Sequence, residues 1–406
     1  MTGRSNSGQF RVDIGFVLLF SVRLTTAFTG AGSMREVLPP IPSQDASARM
    51  DLLADFERRV LGQTFLEAGR TSRLAVGRVA LDALGEDSPT HADVYLVRHK
   101  SGVATWEAWM TAPTQTFNSP TWVNWLNAEA ESSIVGQLWR ALGPLNLELT
   151  GKSEWSGLYV PLILMELESE PLPSLVEHRG PDIVRLLFRD TSTLAFKPEV
   201  VSEELERDYC LRKNGMTLLS RRSGIDVRDR PPDTPRVDFP HPVPGQNFLP
   251  FFITVELLVL KHAVLQYLYD RLTKNVPTSV EELIALKEEV SDGLLEYSGV
   301  ITNATRVTDA ITADGEVLLG LGDMYEAVMN RLGAVNFTIT TQSQRHMTLM
   351  EFWLTIVFGA TEIGFLASSI ATWYYRTGVA AVLAWTVGAT TISALTLIAV
   401  LRSKIK

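Results

Sequence analysis

The chain of 406 residues has one cysteine, Cys210. That excludes an intrachain disulfide and leaves a thiolate zinc site almost nothing to build on. A lone thiol also favours a reducing compartment for the soluble part. The six histidines (His91, His99, His178, His241, His262 and His346) show no His-Glu-x-x-His or other paired ligand spacing. No Gly-x-Ser-x-Gly nucleophile elbow occurs. The run "LTGKS" at 149–153 fails as a phosphate loop, because Asn146 stands where that pattern needs glycine. A basic surplus is missing too: the net charge of −9 argues against a nucleic-acid partner. With these signatures absent, the chain reads as a non-enzyme with no bound organic cofactor.

What is present is an asymmetry. Hydrophobic residues make up 46% and charged residues 20%, the balance of a folding chain. Residues 1–345 have the mixture of a soluble protein, and the remainder is apolar. The expected fold class is an α+β cytoplasmic domain, then a long helical stalk and a two-helix transmembrane hairpin. The expected segments are a domain over 1–230, a Pro-rich linker over 231–250, a stalk over 251–345 and a hairpin over 346–406.

Within the first segment, residues 46–70 carry apolar positions at helical spacing, and 93–110 read as a hairpin turning at His99 to Gly102. Residues 122–142 read as a helix, and 157–168 and 182–190 as strands. Asn214-Gly215 predicts a hairpin turn within 207–222. Residues 14–22, "IGFVLLFSV", fit a strand or a signal peptide. The strand is preferred, because Asp13 and Arg23 sit tight against the apolar run. Seven prolines between Pro231 and Pro250 predict a stiff connector. Beyond it, 251–274 is one apolar helix. Ser279 and Glu282 form a capping box, and a heptad seam runs from Leu283 to Val335 with interruptions at Thr308 and at Asp314-Gly315.

Residues 349–375 and 378–401 are each long enough to cross a hydrocarbon core of about 30 Å. The short link "YYRTG" makes them an antiparallel pair, with Trp373, Tyr374 and Tyr375 suited to an interface. Arg345, Arg402, Lys404 and Lys406 lie on one side and Arg376 on the other, which puts both termini in the cytoplasm of an inner membrane.

The first span opens "EFWLTIVFGATE". At about 100° per residue, Glu362 returns to within about 20° of Glu351, and Thr355, Phe358 and Ser369 share their stripe. The opposite face carries Ala360, Gly364, Ala367 and Ala371, and the second span has Ala380, Ala384 and Gly388. Small residues at that spacing let helix backbones approach. The spans are expected to pack on these small faces. The acidic stripe, with Glu351, Thr355, Phe358, Glu362 and Ser369 as candidate pore-lining residues, then faces water on a symmetry axis or makes a protonated contact between helices.

This layout resembles the CorA-type two-span metal-ion channels, in architecture across nearly the whole chain. The resemblance implies a homopentamer whose first span lines a cation pore, and a stalk whose acids bind a divalent cation such as Mg²⁺. Asp314, Glu316, Asp323 and Glu326 are the matching acids here. The family's Gly-Met-Asn motif is replaced by Trp373 to Gly378. Three functions follow as expectations. The first is a gated cation channel whose cytosolic domain senses an ion or small ligand. The others are a membrane-disrupting effector of bacterial defence, as divergent relatives without Gly-Met-Asn resemble, and a membrane-anchored scaffold. The lipid bilayer and further copies of the chain are the expected partners.

Overall fold

A computed structural model describes residues 10–24, 38–42, 50–51, 53, 71–99, 102–151, 157–168, 170–230, 248–274, 276–297, 306–375 and 378–405. The expected helix over 46–70 and the Pro-rich linker lie almost wholly outside these. The chain divides into two compact units, residues 1–275 with 289–331, and residues 276–288 with 332–406.

The first unit is built on a sheet. Strand β1 (Arg11–Arg23) carries the β-branched and aromatic run read from the sequence, and its interior is buried throughout. It pairs antiparallel with β4 (Val103–Thr116) on one side and β5 (Tyr159–Leu167) on the other. Strands β2 (Thr71–Ala80) and β3 (His91–His99) extend the β4 side. The other side adds β7 (Gly224–Asp229), parallel to β5, and β6 (Gly215–Leu219). The order is β2-β3-β4-β1-β5-β7-β6. A strand buried on both faces needs cover on both. Phe16, Leu18 and Phe20 point into one core with residues of α1 (Ser119–Trp125), α2 (Ile134–Thr150) and α3 (Leu172–Phe188). Val17 and Leu19 point into the other, with α5 (Phe248–Thr273) and α7 (Arg306–Leu318). Helix α4 (Pro198–Glu206) packs outside α3.

Several expectations change here. Residues 182–190 are the end of α3, not a strand: Pro181 lies inside that helix and hides its period, while Leu175, Ile183, Val184, Leu186 and Leu187 fill the buried face. The expected helix over 122–142 is two helices, α1 and α2, the second capped by Ser133. The chain does turn near Asn214-Gly215, with the Gly215 amide donating to the Arg212 carbonyl at 3.3 Å and the Tyr209 amide to the Thr217 carbonyl at 2.9 Å, but residues 207–211 form no strand. The two-stranded hairpin is β6–β7, turning at 220–223, where Ser220 Oγ accepts from the Arg222 and Ser223 amides. Gly215 begins β6.

Another concerns 251–274. Helix α5, read from the sequence as the apolar start of the stalk, covers the second sheet face, so apolar residues surround it. A buried ion cluster ties it down. Arg73 of β2 donates to Glu107 of β4 at 2.8 Å and to Glu256 of α5 at 2.6 Å, and Trp109 Nε1 donates to Glu107 at 3.0 Å. Lys261 of α5 meets Glu316 of α7 at 3.0 Å.

Helix α6 (Val280–Tyr297) starts at the expected cap, Ser279 Oγ accepting from the Glu282 amide at 3.3 Å. The break in the seam falls at Gly320 (φ 66°), a left-handed position that suits glycine, and not at Gly315, which is buried in α7. Helix α8 (Leu321–Tyr375) then runs for 55 residues, about 80 Å at 1.5 Å each. Helix α9 (Val379–Ile405) follows.

Candidate functional site

Among the described residues, three helices are long and apolar enough to cross a membrane. Their apolar windows are 78% buried in α5, 17% in α8 and 0% in α9. Core packing therefore accounts for α5. The exposed apolar surface of α8 and α9 includes Trp353, Leu354, Val357, Leu366, Ile370, Leu383, Trp385 and Ile392, far more than a water-facing surface carries. These helices support membrane association.

Their hydroxyl groups suit an apolar medium. Thr361 donates to the Val357 carbonyl at 2.6 Å and Thr372 to Ser368 at 2.7 Å. In α9, Thr386, Thr390, Thr391 and Thr396 each donate to the carbonyl four residues back. Each hydroxyl is satisfied within its own helix, without water.

The two helices meet on one face of α8. Ile356, Ala360 and Gly364 are buried there, and Gly359 and Ala367 are half-buried. A Cβ on Gly364 would lie 2.0 Å from Thr390 Oγ1 and 3.2 Å from the Thr386 carbonyl, and one on Gly359 would lie 3.6 Å from Leu397 Cδ1. Ala371 has no described side chain. On α9 the close residues are Thr386, Thr390 and Leu397. The Ala380, Ala384 and Gly388 ladder lies apart from them: both alanines are exposed, and a Cβ on Gly388 would meet nothing within 4 Å. The threonines at four-residue spacing were the signal on that helix.

The stripe opposite is open. Glu351, Thr355, Phe358, Glu362 and Ser369 are all exposed. It continues toward the N-terminus of α8 through Met347, Gln344, Thr340 and Phe337, also exposed. Within the span, Thr355 Oγ1 donates to the Glu351 carbonyl at 2.8 Å. The stripe is thus bounded by apolar flanks, with Leu354 on one side and Leu366 on the other.

The stalk acids are not brought together. Tyr209 donates to Asp314 at 2.8 Å, and Lys261 takes Glu316. Asp323 and Glu326 are exposed on α8. No group of three or more metal-ligating side chains occurs among the described residues. Comparisons with protein-family models, curated proteins and solved structures find no match to the chain.

Proposed function

We propose that the chain is an integral membrane protein with two spans, α8 and α9, whose copies assemble around the acidic stripe of α8 to form a gated cation pathway. The α/β unit is the sensor, on the cytoplasmic side by the distribution of Arg and Lys. This is the arrangement that the CorA-type resemblance implies, with a different sequence at the mouth. The observation that carries the reading is the placement of Glu351 and Glu362 on the face of α8 away from α9. A charged acid at the centre of a bilayer costs about 2.5–3.5 kcal/mol. A protomer that packs its small residues inward and leaves two carboxylates outward removes that cost when other copies enclose them with water. Rings of carboxylates then attract cations and repel anions.

The test is flux. Wild-type protein in liposomes, read with Mg²⁺- and K⁺-sensitive dyes, passes cations. Glu362→Gln lowers the flux by roughly tenfold, equivalent to about 1.4 kcal/mol. A monomeric mass in detergent, or flux unchanged in Glu362→Gln, overturns the reading.

A further inference from the structure

The first unit holds a cleft that the pore reading does not use. The ends of β1 (Ser21, Val22, Arg23) and the start of β4 (Val103) form one wall. The last turns of α5 from His262, with Lys274 just beyond the helix, form the other, and Asn146 and Thr150 of α2 also line it. The volume is about 980 Å³, at the upper end of the range for small-molecule sites. Leu24, Leu158 and Ala263 give it apolar surface.

Its charge runs against that of the chain. Arg23, Arg271 and Lys274 line it, and Asp270 is the carboxylate among the described lining residues. Asp270 is shared: Lys274 Nζ lies 2.9 Å and an Arg23 guanidinium nitrogen 4.0 Å from the same oxygen. Arg271 is paired with Glu289 through two hydrogen bonds of 3.1 and 2.8 Å. Among the described lining residues, Arg23 and Lys274 therefore exceed Asp270 by one positive charge, in a protein whose net charge is −9. Arg23 is also held in place, its guanidinium carbon 4.7 Å from the centre of the Tyr267 ring, whose hydroxyl donates to Glu289 at 2.5 Å. His262 Nδ1 is buried without a hydrogen-bond partner among the described residues. Burial, and then the charge of Arg221, lower the pKa of that ring, so the imidazole is neutral near pH 7 and offers one polar nitrogen.

We infer that this cleft binds a phosphorylated small molecule of nucleotide size, with its phosphate on Arg23 and Lys274 and its body against Tyr267 and the apolar wall. A phosphate monoester carries about −1.5 to −2 charges at pH 7, enough to draw both cations from their shared carboxylate. The guanidinium fork matches phosphate oxygens in pairs. The volume exceeds what inorganic phosphate fills. A ring nitrogen or hydroxyl of the body satisfies His262 Nδ1, which otherwise stays desolvated at a cost.

The experiment uses the full chain in detergent and a fluorescent ATP analogue, competed by ATP, AMP, pyrophosphate, adenosine and citrate. Wild-type protein binds the analogue saturably, and ATP and AMP displace it. Adenosine and citrate are weaker by roughly tenfold or more, the scale of one charge-assisted hydrogen bond. Lys274→Glu, at a side chain 69% exposed, loses affinity by at least the same factor with an unchanged unfolding midpoint. Arg23→Gln loses affinity likewise. The inference is overturned if folded wild-type protein binds none of the phosphorylated probes. It is also overturned if adenosine or citrate competes as well as ATP, or if both variants keep wild-type affinity. Binding is read without a membrane, so its failure leaves the flux result standing, and lost flux with intact binding overturns the pore reading alone.

Discussion

Gly364 of α8 lies against Thr390 of α9 so closely that a methyl group on the glycine would sit 2.0 Å from the threonine hydroxyl oxygen. Thr390 is held in turn by its bond to the Thr386 carbonyl at 2.7 Å. Gly364→Leu is therefore expected to push the helices apart at a cost of about 1–3 kcal/mol. Crosslinking between cysteines at 359 and 397, in a Cys210→Ser background, should fall with it. Gly333→Leu is the control, because a Cβ there meets nothing within 4 Å. Equal crosslinking in both variants would show that the contact does not hold the helices together.

Arg73 bonds both Glu107 and Glu256 in the buried cluster beneath α5, with side-chain exposures of 7%, 0% and 4%. Arg73→Met takes that cation away from two buried carboxylates. The expected loss is about 3–5 kcal/mol, the usual cost of breaking a buried pair from one side. Adding Glu107→Gln and Glu256→Gln to that variant should restore part of it, because neutral amides cost less to bury than charges. Thermal unfolding of the three proteins decides the matter, and a triple variant less stable than Arg73→Met would refute the explanation.

The acid side of the stability profile should depend on Glu289. Hydrogen bonds from Arg271 chiefly, opposed by burial and assisted by Tyr267 and the charges of Arg271 and Arg23, hold its pKa below the ordinary 4.5. A carboxylate with a lowered folded value stabilises the fold fully above the unfolded value. That contribution is lost as pH falls from 4.5 through the folded value. Wild-type protein should lose melting temperature more steeply in that window than Glu289→Gln. Parallel profiles would contradict the assignment.

Much of this architecture follows from periodicity alone. β1 reads as an unbroken apolar run and not as an alternation because both sheet faces are covered, so Phe16 and Val17 are each core residues on opposite sides. The acidic stripe was legible because helix geometry fixes the angle between Glu351 and Glu362 whatever surrounds them. Information that depends on partners was not. The apolar stretch at 251–274 reads the same whether it faces lipid, another subunit or a sheet, and only the tertiary contacts of Phe251 and Phe252 decide. Asn214-Gly215 has strong turn chemistry and the chain turns there, but the ladder partner of β6 is β7, which follows it, and not the residues before the turn. Asp314 and Glu316 looked available as cation ligands because Tyr209 and Lys261, their partners, are distant in sequence. The cleft carries no motif: Arg23 and Lys274 are 251 positions apart and meet across Asp270.

In the proposed cation pathway the stripe of Glu351 and Glu362 faces water inside an assembly. Cysteine accessibility reads that placement, because a thiol reacts through its thiolate, which forms in water and not in hydrocarbon. In a Cys210→Ser background, Glu362→Cys and Ile363→Cys are placed on neighbouring residues about 100° apart on the helix. In membrane vesicles, a water-soluble thiol reagent is predicted to label Glu362→Cys rapidly and Ile363→Cys hardly at all. Equal, slow labelling at both positions would contradict the account.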